Sequence, residues 1–331
     1  MRLTSRHFKT LGPGLSRLCS GLFLALLLTL YGVEASPFAY VANVKSDSVS
    51  VIDLATGRIV TTIRVGMDPE GMAILPNGTR VYVTNAKSNT ASVINTATNT
   101  VVATIQVGDN PLGIAVTPNG ARAYVVNQAS QTVSVINTAN NMVVGTIPVQ
   151  RFPQGIAITP DGAYALVTRV LDNAVSVINT ANNTVIASVP VGVFPTQIAI
   201  DPYGFFACVT NEIGNTVSLI YLGDFSLYAD IPVGSRPMGV TFDPYGFFAH
   251  VTTFGDSTLW LIYPWDPQYF LFYAVGVGLR PAAVGIPADW SAVYVANFGD
   301  DNLAVIDSST YAVDRYIPAG NGPIAIVITP F

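Results

Sequence analysis

The side chains best suited to metal chemistry are scarce in this sequence. Only one histidine and one cysteine, His250 and Cys208, lie beyond the first forty residues. A zinc site needs about four ligands, and a catalytic zinc site usually takes three of them from the protein. No Cys-x-x-Cys-His motif for covalent haem occurs, and no Gly-x-Ser-x-Gly turn presents a nucleophile. We therefore predict no catalytic residue and no metal ligand at either position.

Carboxylates offer the other route to a metal ion. Asp68 and Glu70 share one loop, and Asp109 lies in the next loop of the same kind. Calcium and magnesium prefer oxygen ligands, but the Asp-x-Asp-x-Asp spacing of a calcium loop is missing. The sequence therefore predicts no cofactor. The alternative that it leaves open is Ca²⁺ or Mg²⁺ held by these three acids, against a solvated acidic rim.

Arginines occupy the same kind of loop further along the chain. Arg151, Arg236 and Arg280 lie at or beside the residue that precedes a loop proline, and Arg169 follows a strand that ends at the same side. Opposed arcs of acids and arginines would suit an anionic or zwitterionic ligand. We predict a ligand site formed by Asp68, Glu70, Asp109 and these four arginines. The alternative is that ordinary surface arginines cap the turns.

Aromatic side chains crowd two late segments of the chain. The smaller group is Tyr221, Phe225 and Tyr228; the larger one is Trp260, Tyr263, Trp265, Tyr269, Phe270, Phe272 and Tyr273. Exposed aromatic area marks contacts with partners or membranes. We predict a partner surface at Trp260, Tyr263, Trp265 and Tyr269. The alternative is aromatic packing between neighbouring repeats.

All of these residues belong to a repeated unit. The segment Val81-Tyr82-Val83-Thr84-Asn85 has seven versions, whose starts lie 42 residues apart five times and 44 residues apart once. The versions start at Ala39, Val81, Ala123, Ala165, Ala207, Ala249 and Val293. A period in the forties with several short strands per unit indicates the blades of a β-propeller.

One repeat shows four strands separated by turn residues. The third repeat predicts strands at 113–117, 122–127, 133–136 and 142–149, with Pro118-Asn119-Gly120 as the first hairpin turn. Small residues recur two apart in the first strand, as in Gly71 and Ala73. We expect them where blades converge on the propeller axis and leave little room.

The ends of the repeat region predict how the ring closes. After the first 35 residues the chain starts with a second strand, 38–43, and it finishes with a first strand, 324–331. The sequence therefore predicts an all-β fold, a seven-bladed β-propeller with four-stranded antiparallel blades. Its C-terminal strand should pair with the N-terminal blade.

The first 35 residues have the layout of a signal peptide. Four basic residues precede the apolar run Gly21 to Tyr31, and Val33-Glu34-Ala35 presents a cleavage site. The run is too short for an ordinary membrane span, although an uncleaved anchor is the alternative. We predict a propeller domain at 36–331, with no membrane span after cleavage, which is periplasmic, secreted or at the cell surface.

Cleavage makes the chain more acidic. The leader takes four of 15 basic residues and one of 20 acidic residues, which leaves a formal net charge of −8. A domain this acidic repels phosphate backbones, so nucleic-acid binding is not expected unless the arginines form one continuous strip.

The repeated motif resembles a known family. Val81-Tyr82-Val83-Thr84-Asn85, Val93-Ile94-Asn95-Thr96 and the Pro-x-Gly-Ile-Ala-Val-Thr-Pro stretch at 111–118 are similar to YVTN-type propeller repeats. Proteins that share this resemblance include YncE-like periplasmic proteins, surface-layer proteins, propellers associated with alcohol oxidation by quinoproteins, lactonases and a streptogramin lyase. The resemblance implies the fold but selects no activity.

Two functions of different classes follow. The favoured one is an exported, non-enzymatic binding or scaffold propeller for a protein or a cell-envelope component. The alternative is a divalent-cation-dependent hydrolase or lyase with its site at the channel mouth.

Overall fold

The chain forms a ring of seven four-stranded antiparallel sheets. The computed structural model describes residues 37–266 and 271–330. The predicted signal peptide and Tyr269 therefore lie outside the described residues. Residues Pro37–Pro330 make one compact unit, and within its described part no helix is long and apolar enough to cross a membrane.

The strands are numbered along the chain, and each blade is given from its innermost to its outermost strand. Blade 1 is β28 (Pro323–Ile328), β1 (Phe38–Asn43), β2 (Ser48–Asp53) and β3 (Arg58–Arg64); blade 2 is β4 (Pro69–Ile74), β5 (Arg80–Asn85), β6 (Thr90–Asn95) and β7 (Thr100–Gln106); blade 3 is β8 (Pro111–Val116), β9 (Arg122–Asn127), β10 (Thr132–Asn137) and β11 (Met142–Pro148); blade 4 is β12 (Pro153–Ile158), β13 (Tyr164–Arg169), β14 (Ala174–Asn179) and β15 (Thr184–Pro190); blade 5 is β16 (Pro195–Ile200), β17 (Phe206–Asn211), β18 (Thr216–Tyr221) and β19 (Ser226–Pro232); blade 6 is β20 (Pro237–Phe242), β21 (Ala249–Thr253), β22 (Thr258–Ile262) and β23 (Leu271–Gly276); blade 7 is β24 (Pro281–Gly285), β25 (Ala292–Asn297), β26 (Asn302–Asp307) and β27 (Val313–Pro318).

The predicted closure is confirmed. Strand β28 pairs antiparallel with β1, with Ala39 opposite Ile328 and Val41 opposite Ile326. The last strand of the propeller thereby supplies the innermost strand of its first blade, and no sheet is left open at the junction.

The repeated motif joins neighbouring blades through two of its side chains. The Tyr82 hydroxyl donates to Oδ1 of Asn141 in blade 3 at 2.9 Å. The Thr84 hydroxyl donates to the carbonyl of Leu112, also in blade 3, at 2.6 Å. Val81 and Val83, on either side of the tyrosine, are fully buried. The motif therefore recurs because each blade must both fill its own core and hold the next blade.

The small residues of the innermost strands allow these strands to approach closely. A Cβ added to Gly71 would lie 2.2 Å from the Leu112 carbonyl oxygen, and one added to Gly113 would lie 2.5 Å from that of Gln154. Real Cβ atoms do not approach backbone that closely. The expectation that small residues mark the converging strands is confirmed, without any ligand being invoked.

The two flat sides of the disc differ. On the loop face, loops such as 65–68 lead from the fourth strand of one blade to the first strand of the next, and loops such as 86–89 join second and third strands. The turn face carries the hairpin turns between first and second strands, such as 75–79, and between third and fourth strands, such as 96–99.

Candidate functional site

The rim of the channel on the loop face is a repeated rigid structure. The residue before each loop proline has a positive φ, between 51° and 66°. These residues are Asp68, Asn110, Phe152, Phe194, Arg236, Arg280 and Gly322. Left-handed backbone is strained for residues other than glycine and persists only where the surroundings hold it. Here the rim directs six side chains around the channel mouth, and the seventh position is a glycine.

Hydrogen bonds from both sides hold this backbone. The amide of Arg236 donates to Oδ1 of Asn215 at 2.9 Å, and its carbonyl accepts from the amide of Phe254 at 2.9 Å. The amide of Asp68 donates to Oδ1 of Asp47 in the same way, at 2.9 Å. The predicted site residues Asp68, Arg236 and Arg280 therefore lie on comparable, fixed positions of the rim.

The three predicted acids do not form one cluster. Asp68 lies 3.5 Å from the Lys87 ammonium, and Asp109 accepts a hydrogen bond from the Asn89 amide at 3.1 Å. Glu70 lines the channel instead. Among the residues that the structure describes, no group of three or more His, Cys, Asp or Glu side chains could hold a metal ion.

The central channel encloses a cavity of about 240 Å³. Most of its lining comes from glycine and aliphatic residues of the innermost strands, and its polar side chains are Glu70, Gln197 and Thr241. Gln197 occupies the position where Gly71, Gly113, Gly155 and Gly239 lie in other blades, and it is exposed to the channel. The channel therefore combines one carboxyl and one amide with apolar walls.

The pKa of the Glu70 carboxyl lies near neutral pH, well above its usual value. Burial raises its pKa to about 7, repulsion from Asp68 adds to the shift, and Lys87 opposes it. A carboxyl whose pKa lies near neutrality in a cleft is a candidate for proton transfer or for binding a donor group.

This shift predicts a pH-dependent effect of Glu70→Gln on stability. The raised pKa means that wild type loses stability as the pH rises from 4.5 through about 7, when a charged carboxylate must be buried. Near pH 4 the carboxyl is protonated and the two proteins should be equally stable. Near pH 8 the variant should be more stable by about 2 kcal/mol, after allowance for partial solvent screening.

Urea unfolding at both pH values measures this difference, with Asp109→Asn on the exposed rim as the matched control. An equal Glu70→Gln effect at the two pH values would show that the carboxyl does not titrate between them.

Three of the four predicted arginines form salt bridges with two acids of neighbouring loops, Asp172 and Glu212. Arg169 lies 2.7 Å from Asp172, and Arg151 lies 3.6 Å from the same carboxylate. Arg236 donates to Oε1 of Glu212 through Nε at 3.0 Å. Of the four predicted arginines, only Arg280 forms no salt bridge with a described residue, so the predicted arc of free arginines is reduced to one member.

Two phenylalanines that were not predicted from the sequence lie against three cationic side chains of the loop face. The Arg236 and Arg280 guanidinium groups lie 5.0 and 5.8 Å from the ring centre of Phe254. The Lys45 ammonium lies 4.1 Å from the ring centre of Phe298, and the two rings are 6.0 Å apart. We call these five residues the cation–aromatic strip. It crosses the loop face from blade 5 to blade 1.

A signal for the strip was present in the sequence. Phe254 and Phe298 follow the fifth residue of the motif in two successive repeats, where Ala86 and Gln128 stand earlier in the chain. A residue at this loop position does not fill the core of a blade. An aromatic residue there therefore indicates a role at the surface.

His250 and Cys208 are fully buried at the motif tyrosine position. Burial raises the pKa of the Cys208 thiol and lowers that of His250 to about 3. Both ring nitrogens of His250 lack a hydrogen-bond partner among the described residues. The hydroxyl of Tyr311, whose ring centre is 6.0 Å away, lacks one as well. Tyr311 takes the place that Asn141 holds opposite Tyr82, so both partners of that contact have been replaced together.

The described residues of the predicted partner surface, Trp260, Tyr263 and Trp265, are mostly buried. Trp260 and Trp265 pack against the core between blades 5 and 6, and the Trp265 indole donates to the carbonyl of Gly246 at 2.8 Å. The ring of Tyr263 lies 5.9 Å from that of Phe248. Tyr269 lies outside the described residues. Trp260 and Trp265 therefore pack between neighbouring blades, as the alternative prediction stated.

Solved structures share this fold at low sequence identity. A Desulfotomaculum acetoxidans protein of unknown function is 20% identical with a TM-score of 0.79, over 88% of this chain and 98% of that one. A Bacteroides fragilis protein with an inferred 6-phosphogluconolactonase activity is 15% identical with a TM-score of 0.76, over 90% and 99% of the chains. Hydrazine synthase from Kuenenia stuttgartiensis is 20% identical with a TM-score of 0.70, over 80% and 92%. These likenesses show the propeller fold alone.

No protein-family model matches the sequence, and no curated protein is similar to it at a significant level. The likeness of the motif to YVTN-type repeats therefore stays a prediction from the residues that carry it.

Proposed function

We propose that the protein is an exported binding propeller without catalytic activity, which holds an acidic segment of a partner protein in the periplasm or at the cell surface. The cation–aromatic strip carries this proposal. Arg280 and Lys45 form no salt bridge within the described residues, and both lie against aromatic rings on the loop face.

The chemistry of the strip favours carboxylates. Arginine binds a carboxylate through two parallel hydrogen bonds, and stacking on a ring fixes the guanidinium before binding. The rest of the chain is acidic, and Asp256 and Asp300 accept the amides of Ser235 and Leu279 beside the strip. The cationic groups of the strip would therefore orient an acidic partner segment at contact rather than attract it from a distance. Apolar side chains of that segment could contact the rings of Phe254 and Phe298.

A labelled decapeptide of alternating Glu and Tyr tests the proposal by fluorescence anisotropy. Arg280→Ala combined with Lys45→Ala should weaken binding by about tenfold or more, since anchoring arginines dominate interfaces of this kind. Arg58→Ala, which removes an exposed arginine of the outermost strand β3, is the matched control and should bind as wild type does. Added salt should weaken the wild-type complex.

Two outcomes would count against this function. Equal binding by wild type and the double variant would remove the strip from the site. A rise in melting temperature with Ca²⁺ or Mg²⁺ that disappears in Asp68→Asn and Asp109→Asn variants would instead support the divalent-cation-dependent hydrolase or lyase. That alternative needs a group of ligands which the described residues do not assemble.

A further inference from the structure

The turn face carries a patch of exposed aromatic side chains that has no part in the site described above. Tyr203, Phe205, Tyr245 and Phe247 are 62%, 50%, 50% and 51% exposed. They come from two identical segments, Asp-Pro-Tyr-Gly-Phe-Phe-Ala at 201–207 and at 243–249. We call these four residues the turn-face aromatic patch.

A buried aspartate makes each of the two turns rigid. Asp201 is fully buried, and its carboxylate accepts the amides of Tyr203, Phe205 and Phe206 at 2.8, 2.7 and 2.5 Å. Asp243 is buried in the same way and holds the second turn. The aromatic rings are therefore held outwards on fixed backbone, which lowers the entropy cost of a contact.

The patch is continuous, and its four residues come from blades 5 and 6. A Cβ on Gly246 would lie 3.2 Å from the ring of Tyr203, so the two turns touch. Trp290 of blade 7 extends the patch, with its ring centre 5.6 Å from that of Tyr245. The positions that correspond to Tyr203 in blades 3 and 4 are Asn119 and Asp161. The only polar groups that the four patch side chains present are two tyrosine hydroxyls.

The N-terminal segment joins the propeller on this same face. The carbonyl of Pro37 accepts the amide of Leu54 at 3.1 Å, just as that of Phe205 accepts the amide of Leu222 at 2.9 Å. Pro37 therefore occupies in blade 1 the place that the exposed Phe205 occupies in blade 5. Before the predicted cleavage, residues 1–36 precede Pro37 in the chain, and they contain the apolar run from Gly21 to Tyr31, a type of segment that enters a bilayer during export.

We propose that the turn face rests on a lipid bilayer, with the turn-face aromatic patch in the interfacial region. Tyrosine, tryptophan and phenylalanine favour this region because an apolar ring and a polar edge meet two environments there. Adsorption to a bilayer is proportional to the apolar area inserted and has no minimum area, so a small patch can contribute to it. A stable protein interface, in contrast, takes about 800 Å² from each partner. An uncharged patch on an acidic protein fits a neutral lipid surface.

Vesicles of phosphatidylcholine test this with the propeller alone, residues 37–331, since its seven sheets are complete without the leader. Wild type should sediment with the vesicles, and bromine-labelled lipid should quench the fluorescence of Trp265 and Trp290 beside the patch. Replacing the four patch residues by serine should lower the partition coefficient by about tenfold or more. Tyr273→Ser with Tyr316→Ser, two exposed tyrosines of outermost strands, is the matched control and should partition as wild type does.

Absence of both sedimentation and quenching in wild type would overturn the proposal, and this measurement needs no variant to fold. Equal loss in the patch and control variants would overturn it too. A concentration-dependent dimer that binds no vesicles and is abolished by the patch variant would assign the face to a second copy of the chain instead.

Discussion

Gly155→Ala is expected to destabilise the propeller by about 3 kcal/mol or to prevent it from folding. Its added Cβ would lie 2.3 Å from the Thr196 carbonyl oxygen and 3.0 Å from Cα of Gln197. Both are backbone atoms of blade 5, so relief requires the whole neighbouring blade to move. Overpacking in a close-packed interior typically costs 1–3 kcal/mol, and strain that displaces backbone lies at the upper end of that range. Urea unfolding followed by circular dichroism measures the change.

Gly145→Ala supplies the matched control within a strand. The nearest atom to its added Cβ is 3.8 Å away, and this glycine lies in the outermost strand β11. Its stability should stay within about 1 kcal/mol of wild type, because alanine costs less conformational entropy than glycine. If the two variants were equally stable, close approach of the innermost strands would not be what selects glycine there.

Acidification is expected to destabilise wild type relative to His250→Leu by roughly 3 kcal/mol between pH 6.5 and pH 4. The pKa of His250 falls from 6.5 to about 3 on folding, because burial opposes the charged ring. A lowered histidine pKa means that the neutral ring contributes its stability above 6.5, and this contribution is lost as the pH falls towards 3. Leucine is a suitable replacement since Leu166 fills the corresponding position of blade 4, against Phe225.

The comparison must be made as a difference between the two proteins, because Glu70 acts in the opposite direction over part of this range. Its raised pKa makes wild type gain stability as the pH falls from about 7 to 4.5, and the same gain occurs in His250→Leu. Parallel stability curves for wild type and the variant from pH 7 to pH 4 would show that His250 is already able to take up a proton in the folded state.

The repeat predicted the fold well because it records local chemistry. Pro-Asn-Gly turns, strand alternation and the 42-residue period each depend on residues close in the chain, and together they predicted the seven blades and their closure. The motif tyrosine and threonine could be read as strand residues, but their bonds to Asn141 and Leu112 in the next blade could not. The period gives the position of a residue in its own blade and not the reach of its side chain.

The loop-face site was predicted only in outline for the same reason. The sequence placed Arg151, Arg169 and Arg236 on one rim, yet it could not show that Asp172 and Glu212 already occupy them. Glu70 was grouped with Asp68 by proximity in the chain, whereas strand alternation turns Glu70 into the channel. The exposed aromatic surface was expected at the outer strands of blade 6. The structure shows the patch in the duplicated turns of blades 5 and 6. In each turn a buried aspartate holds the backbone, so that the aromatic rings point to the solvent and not to a core.

The pairing of β28 with β1 also sets the order in which the molecule can be completed. The amide of Phe38 donates to the hydroxyl of Thr329, 291 positions further along the chain. The other six sheets are meanders whose strands pair with close neighbours in sequence, and such local contacts form early. The sheet of blade 1 is complete only when the C-terminal strand β28 has paired with β1. Until then β1 presents an unpaired edge, the feature through which incomplete β-sheets aggregate. In a chain that emerges from its N-terminus, β1 is therefore the first strand to be exposed, and its edge is paired only when β28 has emerged.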